Sequence, residues 1–152
     1  MEVALYQPDI AGNVGTIMRL CACWGVPLNI VMPCGFPFGD KQLRRAAMDY
    51  GASAQIRRHA GFDDFADHVA ASGARIVLLS SKAQTTLPAM QFEPSDILLF
   101  GSESAGVPAH VHDAAAMSVR IPMLAGFRSL NLAVSAGIAL GKALEQTGLM
   151  PE

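Results

Sequence analysis

Three clusters of small and polar residues carry most of the chemistry this sequence could perform. They are Asn13, Gly15 and Arg19; Gly101, Glu103 and Gly106; and Ser129 with Asn131. Glycine lets a backbone approach a ligand closely, and exposed N–H groups can grip an adenine edge or a carboxylate. Arg19 adds a permanent cation with several N–H donors. Taken singly, each cluster is ordinary turn chemistry. Together, in this order, they are far more specific and describe a pocket built from loop mouths.

Other chemistries fit less well. Cys21 and Cys23 form a CxC pair, but residues two apart on a helix do not face each other. Core packing is their expected role. His110 and His112 meet the same objection, and no HExxH or paired CxxC accompanies them, so no metal is expected. SESAG at 102–106 follows an apolar run as a nucleophile elbow would, yet it lacks Gly at 102, and no histidine after His112 could complete a Ser–acid–His order. A serine hydrolase is a distant alternative. AGNVG lacks the G-x-G-x-x-G spacing, and LNIVM ends without a carboxylate for ribose hydroxyls. Both points argue against a Rossmann dinucleotide site and the usual Rossmann-type S-adenosylmethionine site.

Holding the three clusters together requires strands that end where the clusters begin. Val3–Tyr6, Pro27–Met32, Gln55–Arg58, Ile76–Leu79, Ile97–Phe100 and Val119–Pro122 read as strands. A helix is expected after Asn13, its plausible N-cap, with Ile17, Leu20, Cys21 and Trp24 on the buried stripe and Gly25 as C-cap. Asp40 is placed to cap a basic helix, KQLRRAAMDY. Phe62, Phe65, Ala66, Val69 and Ala70 mark a further helix over 61–72, and Ser129–Gln146 forms the last. Alternation of this kind implies an α/β fold, a parallel sheet with helices on both faces. Ligands of such sheets sit outside the carboxyl ends of the strands, which places the site within residues 96–131.

Residues 1–152 fit a single domain with a sizeable core: 51% of residues are hydrophobic and 16% charged, so disorder is improbable. No apolar run could span a bilayer, MEVALYQPDI has no basic signal-peptide region, and an odd count of three cysteines suits a reducing cytoplasm. The net charge of −2 hides an asymmetry. Residues 41–58 carry +4 through Lys41, Arg44, Arg45, Arg57 and Arg58 against Asp49, leaving −6 elsewhere. That segment is either a solvated helix face or a patch for a polyanion.

The motifs N-x-G-x-x-x-R at 13–19, F-G-x-E-x-x-G at 100–106 and I-P-M…S-x-N at 121–131 resemble the three signatures of the SpoU/TrmH class (SPOUT superfamily) of RNA ribose 2′-O-methyltransferases. DKQLRRAAMDY at 40–50 is similar to the compact subgroup that methylates the wobble nucleotide of tRNA, cytidine or uridine. The similarity spans nearly the whole chain. It departs at the second motif, where Ala105 replaces the subgroup's usual basic residue and Ser102 its proline.

The resemblance implies a C-terminal trefoil knot and an obligate homodimer with the first and last helices at the interface. Ala133, Gly137 and Gly141 form a small-residue ridge that permits close helix contact, although packing on the chain's own sheet would use the same ridge. It also implies S-adenosyl-L-methionine as cofactor, surrounded by Leu79, Gly101, Ile121 and Ser129. Backbone groups near Met123 and Leu130 would hold the adenine, with Glu103, Ser129 and Asn131 ordering the pocket. Arg19, Ser129 and Asn131 are then the catalytic candidates, and Arg19, Lys41, Arg44 and Arg45 the RNA contacts. Another RNA target, such as rRNA, and a catalytically silent RNA-binding homologue are the alternatives within the class.

Overall fold

The runs VALY, LNIV, IVLL and ILLF are buried on both sides almost throughout, as strands of a parallel sheet covered on both faces must be. A computed structural model, which describes residues 1–38 and 41–152, places them in one sheet of seven parallel strands. These are β1 Glu2–Tyr6, β2 Leu28–Val31, β3 Ile56–His59, β4 Ile76–Leu79, β5 Thr85–Thr86, β6 Ile97–Phe100 and β7 Met117–Arg120. Their order is β3-β2-β1-β6-β4-β7-β5. Register is continuous at the centre, with Leu5 opposite both Ile30 and Phe100, and Leu78 opposite Leu99.

Alternation within each strand sorts side chains onto two cores. Leu5, Ile30, Val77, Leu98, Phe100 and Val119 face helices α1 (Ala11–Trp24), α2 (Lys41–Ala47) and α5 (Leu132–Thr147). Ala4, Tyr6, Val31, Leu78 and Leu99 face α3 (Phe62–Ser72) and α4 (Ala109–Ala114). Since β5 follows β4 in sequence but lies beyond β7, the 80–84 connection must cross β7. The return segment is held to α5 by Gln146, which accepts from Phe92 N–H at 2.6 Å and donates to the Met90 carbonyl at 3.0 Å.

Several boundaries differ from the sequence reading. α1 begins at Ala11 after an extended Ile10, so Asn13 is not its cap but lies buried in its first turn. Asn131 caps α5 instead, its Oδ1 accepting from Ala133 N–H and Val134 N–H at 2.8 and 3.2 Å, and the helix starts three residues later than Ser129. β7 stops at Arg120, leaving Ile121 and Pro122 outside the sheet. β5 falls within the polar run SSKAQTT, which gave no strand signal. Cys21 packs in the core, where burial pushes its thiol up to about 12; Cys23 is exposed on the other side of α1. The expected cap Asp40 lies outside the described residues. The basic helix after it ends at Ala47 and tightens into a 3₁₀ turn over Met48–Ala52.

The ridge on α5 meets α1 of the same chain: a Cβ on Gly137 would stand 4.0 Å from Leu20 and one on Gly141 3.6 Å from Trp24. At the amino ends of the strands, the buried carboxylate of Asp96 takes two bonds from Arg75, at 2.6 and 3.1 Å. Its hydrogen bonds to Asp96 raise the Arg75 guanidinium above its ordinary value.

A buried polar chain crosses β1–β3. Asn29 donates to Glu2 at 2.6 Å, and its Oδ1 lies 2.9 Å from His59 Nε2, which as the only possible donor of that pair carries the proton. Burial holds His59 below its ordinary 6.5, against the opposing pull of Asp64. Below about pH 6.5 the unfolded chain therefore takes up a proton that the folded chain refuses, and stability falls as pH drops towards the folded-state value. Glu2 and Asp9, both held low, act in a more acidic window, below 4.5 and 3.8. We expect urea unfolding between pH 7 and pH 5 to show stability declining with acidity, and His59→Gln to flatten that decline. An unchanged slope in His59→Gln would remove His59 as its source.

Candidate functional site

The carboxyl ends of β1, β4, β6 and β7 open on the same edge of the sheet, as a parallel arrangement requires. Between them lies a cavity of about 650 Å³, within the range of sites for small ligands. Leu79 and Ser80–Lys82 line it from β4, Phe100–Glu103 and Ala105–Val107 from β6, Ile121 and Met123 from β7, and Ser129–Leu132 from the start of α5. Ile10 and Asn13 complete it from α1, and His112 from α4. Leu79, Gly101, Glu103, Ile121, Met123, Ser129, Leu130 and Asn131, the residues singled out in the sequence, are thus brought together.

A chain of hydrogen bonds ties three of these mouths. Glu103 accepts from the Asp9 N–H at 2.7 Å and from Asn13 Nδ2 at 2.9 Å. Asn13 Oδ1 accepts in turn from Asn131 Nδ2 at 2.9 Å, while Asn131 Oδ1 is occupied at the head of α5. Asp9 is bound back to the same loop: its carboxylate accepts from Ser104 Oγ at 2.7 Å and Ser104 N–H at 2.9 Å. Those bonds, the hydroxyl's first, hold the Asp9 carboxyl below its ordinary 3.8. Glu103 is half-buried, whereas Ser129 and Asn131 are exposed. Asn131 shares in the ordering network; the Ser129 hydroxyl makes no hydrogen bond among the described residues and stands open at the cavity.

The glycines have separate reasons. A Cβ on Gly101 would come within 2.5–2.7 Å of the Gly106 backbone, and Gly106 itself sits at φ +67°, so this pair closes the 101–106 turn on itself. Gly15 does not line the cavity. A Cβ there would meet the Leu43 carbonyl oxygen and Ala46 at 2.6 Å, so Gly15 is required where α1 packs against α2. Ala105 lines the cavity and is exposed.

Arg19, Lys41, Arg44 and Arg45 do not line the cavity. Arg19 projects from α1 towards the Met48–Ala52 turn, its Nη1 3.0 Å from Met48 Sδ and its guanidinium 5.2 Å from the Tyr50 ring centre. Lys41, Arg44 and Arg45 are exposed on α2 beside it. Arg57 is paired with Glu2, at 3.6 Å, and Arg58 stacks on Phe38, so the +4 segment presents its charge on more than one surface. Sequence reasoning missed Asp9, Lys82 and His112. Asp9 and Lys82 lie in polar turns without a motif, and His112 carries no motif beyond its spacing from His110.

Among the described residues no three His, Cys, Asp or Glu side chains are grouped to hold a metal ion, and no helix is long and apolar enough to cross a membrane.

Comparison with known proteins agrees with this geometry. The model of the SpoU rRNA Methylase family matches residues 1–141. A tRNA (cytidine(34)-2'-O)-methyltransferase of Beijerinckia indica subsp. indica is 49% identical over 148 residues, covering 97% of this chain and 92% of its own. A solved structure concerned with the 2-OH methylation of C/U34 on tRNA superposes with a TM-score of 0.91 at 37% identity, covering 95% of this chain and 94% of the other. The AdoMet-bound rRNA methyltransferase from Sinorhizobium meliloti superposes at 0.86 with 30% identity, over 95% of this chain and 55% of that one.

Asn13 is the joint of the site, so its removal is a direct test. Asn13→Ala deletes both side-chain bonds and leaves Glu103 short of a donor, at a cost of about 1–3 kcal/mol. We expect a lower melting temperature and at least tenfold-weaker binding of the cavity's ligand, on the order of 1.4 kcal/mol by calorimetry. Unchanged affinity would mean that the three mouths hold their places without it.

Proposed function

The chain belongs to the SpoU rRNA Methylase family, and from that premise we propose that it is an S-adenosyl-L-methionine-dependent tRNA ribose 2′-O-methyltransferase acting on the wobble nucleotide of the anticodon. The observation that carries the reading is near full-length identity, 49% over 97% of the chain, to a tRNA (cytidine(34)-2'-O)-methyltransferase. A different RNA target draws less support: the rRNA enzyme's chain is covered over 55% of its length, against 94% for the C/U34 structure.

The cavity's residues fit the cofactor. Its wall mixes aliphatic groups (Leu79, Ile121, Met123, Leu130) with polar ones (Glu103, Ser129, Asn131), and the closed Gly101–Gly106 turn is a cradle that a Cβ would break. When bound, S-adenosyl-L-methionine supplies an electrophilic methyl group on a sulfonium. Leu79, Gly101, Ile121, Met123, Ser129 and Leu130 would hold it, with Glu103 keeping the 101–106 turn in place through Asp9 and Asn13. Asn131 orders the cavity from the head of α5, and the unbonded Ser129 hydroxyl remains available to a ligand.

Arg19 has no acceptor and cannot take a proton from a hydroxyl. Its suitable work is to bind a phosphate beside the target ribose and orient the 2′-hydroxyl. Lys41, Arg44 and Arg45 extend that positive surface along α2. An RNA held by such contacts binds with a strong salt dependence. Ala105, in place of a basic residue, removes charge at the cavity, which puts more of the phosphate binding on the α1–α2 side.

A homodimer through α1 and α5 completes the reading. Val134 and Ile138 lie one turn apart on the outer side of α5, 50% and 43% exposed, with Ile10 at 48% at the head of α1. Apolar side chains in such a row favour a protein partner. The cytoplasm, where tRNA is modified and thiols stay reduced, is the compartment that fits.

Two experiments test the proposal. Purified protein, supplied with the cofactor and tRNA from cells lacking the gene, should place one 2′-O-methyl group at the wobble position, read by nucleoside mass spectrometry. Arg19→Ala should cut turnover by about 100-fold while cofactor binding persists, and Arg44→Glu/Arg45→Glu should raise KM for tRNA and flatten its salt dependence. Methylation elsewhere, or a fully active Arg19→Ala, would refute the assignment. In sedimentation the protein should run at twice its chain mass, and Ile138→Glu should halve that; a monomeric wild type would exclude the dimer.

A further inference from the structure

We propose that Tyr50, together with Met48, is a positioning residue for Arg19, holding its guanidinium at the surface without neutralising it. The inference rests on the methyltransferase reading, which makes Arg19 the group that meets RNA.

Arg19 is exposed, and among the described residues it forms no ion pair. Its two contacts are an aromatic face, 5.2 Å from ring centre to guanidinium carbon, and a thioether sulfur accepting from Nη1 at 3.0 Å. Asp49 stands between the two contacting residues in sequence and does not pair with it. The distinction is chemical. A carboxylate would hold the arginine but occupy its planar fork of donors and cancel its charge. A ring face attracts the cation through its quadrupole, and a thioether is a weak acceptor. Both restrict the side chain while leaving most of its N–H groups for a phosphate.

Local conformation points the same way. Met48 sits at φ +51°, in the left-handed region that long side chains seldom adopt. Such positions persist where the surrounding structure holds them, and they gather at functional sites. Met48 and Tyr50 are also 55% and 41% exposed, so core burial does not account for their placement. The turn bearing them is brought to α1 by the close packing of Gly15 on Leu43 and Ala46. What this arrangement secures at the surface is the direction of one guanidinium.

Tyr50→Leu and Tyr50→Phe separate the ring face from mere volume and from the hydroxyl. Tyr50→Leu should lower kcat for tRNA methylation about 10- to 100-fold, with cofactor affinity and melting temperature retained, and Tyr50→Phe should restore most of the turnover. In ¹⁵N-resolved NMR the Arg19 Nε–H resonance, assigned by its loss in Arg19→Lys, should show a ring-current shift in wild type and Tyr50→Phe that disappears in Tyr50→Leu. A fully active Tyr50→Leu, a Tyr50→Phe as impaired as Tyr50→Leu, or loss of cofactor binding along with turnover would each overturn the proposal. If the wild type methylates no tRNA, the functional reading fails, and the Arg19 shift alone decides whether Tyr50 holds Arg19.

Discussion

One amide side chain links the parts of this site that lie farthest apart in sequence. Asn13 donates to Glu103, 90 residues away, and accepts from Asn131, 118 residues away. Each bond closes a long loop, and such contacts stabilise only after the intervening chain has been ordered. The sheet does that ordering: β1 and β6 are neighbours, so the segments leaving them meet at a common edge. A carboxamide suits the joint because it carries a donor and an acceptor on one short stem. Aspartate lacks the donor and would face Glu103 with a second negative charge.

That joint also explains where the sequence misleads. Asn13 has the type and place of an N-cap, but its side chain is committed to Glu103 and Asn131, and the helix begins earlier behind an extended Ile10. The true cap at the far end, Asn131, serves helix and site at once. Capping depends on where the backbone turns helical, which residue type alone does not determine. β4 and β6 are legible to the residue because they are short aliphatic runs buried on both faces. β5, two threonines paired only to β7, has no such pattern.

Glycines show the same division within the site. Gly15 and Gly101 both belong to motifs of small residues, and both suggest a backbone approached by a ligand. At each, the close neighbour is the protein itself: α2 at Gly15 and Gly106 at Gly101. The need for glycine is readable from sequence, but its cause is a non-local contact. Asp9 is hidden for the same reason, since its role depends on Ser104, 95 residues on. Residue types therefore locate the cavity well, while the bonds that set its shape emerge only with the fold.

Charge is unevenly placed around this site. Asn13 and Arg19 are six residues apart on α1, about 9 Å along the axis and roughly 120° around it, so the helix turns one group into the cavity and the other towards α2. Residues 41–58 carry +4 and the remainder of the chain −6, and a polyanion is attracted to the first and repelled by much of the second. At the cavity the balance is mixed: Ala105 is neutral, Lys82 stands on the wall, and Glu103 is bound within the network. Of the cations in residues 41–58, Lys41, Arg44 and Arg45 are exposed on α2 and apart from the cavity, whereas Arg57 is held by Glu2 and Arg58 by the Phe38 ring. The helix thus sets the cationic α1–α2 surface apart from the cavity, and under the proposed methyltransferase reading the binding of an RNA backbone is separate from the chemistry on the hydroxyl.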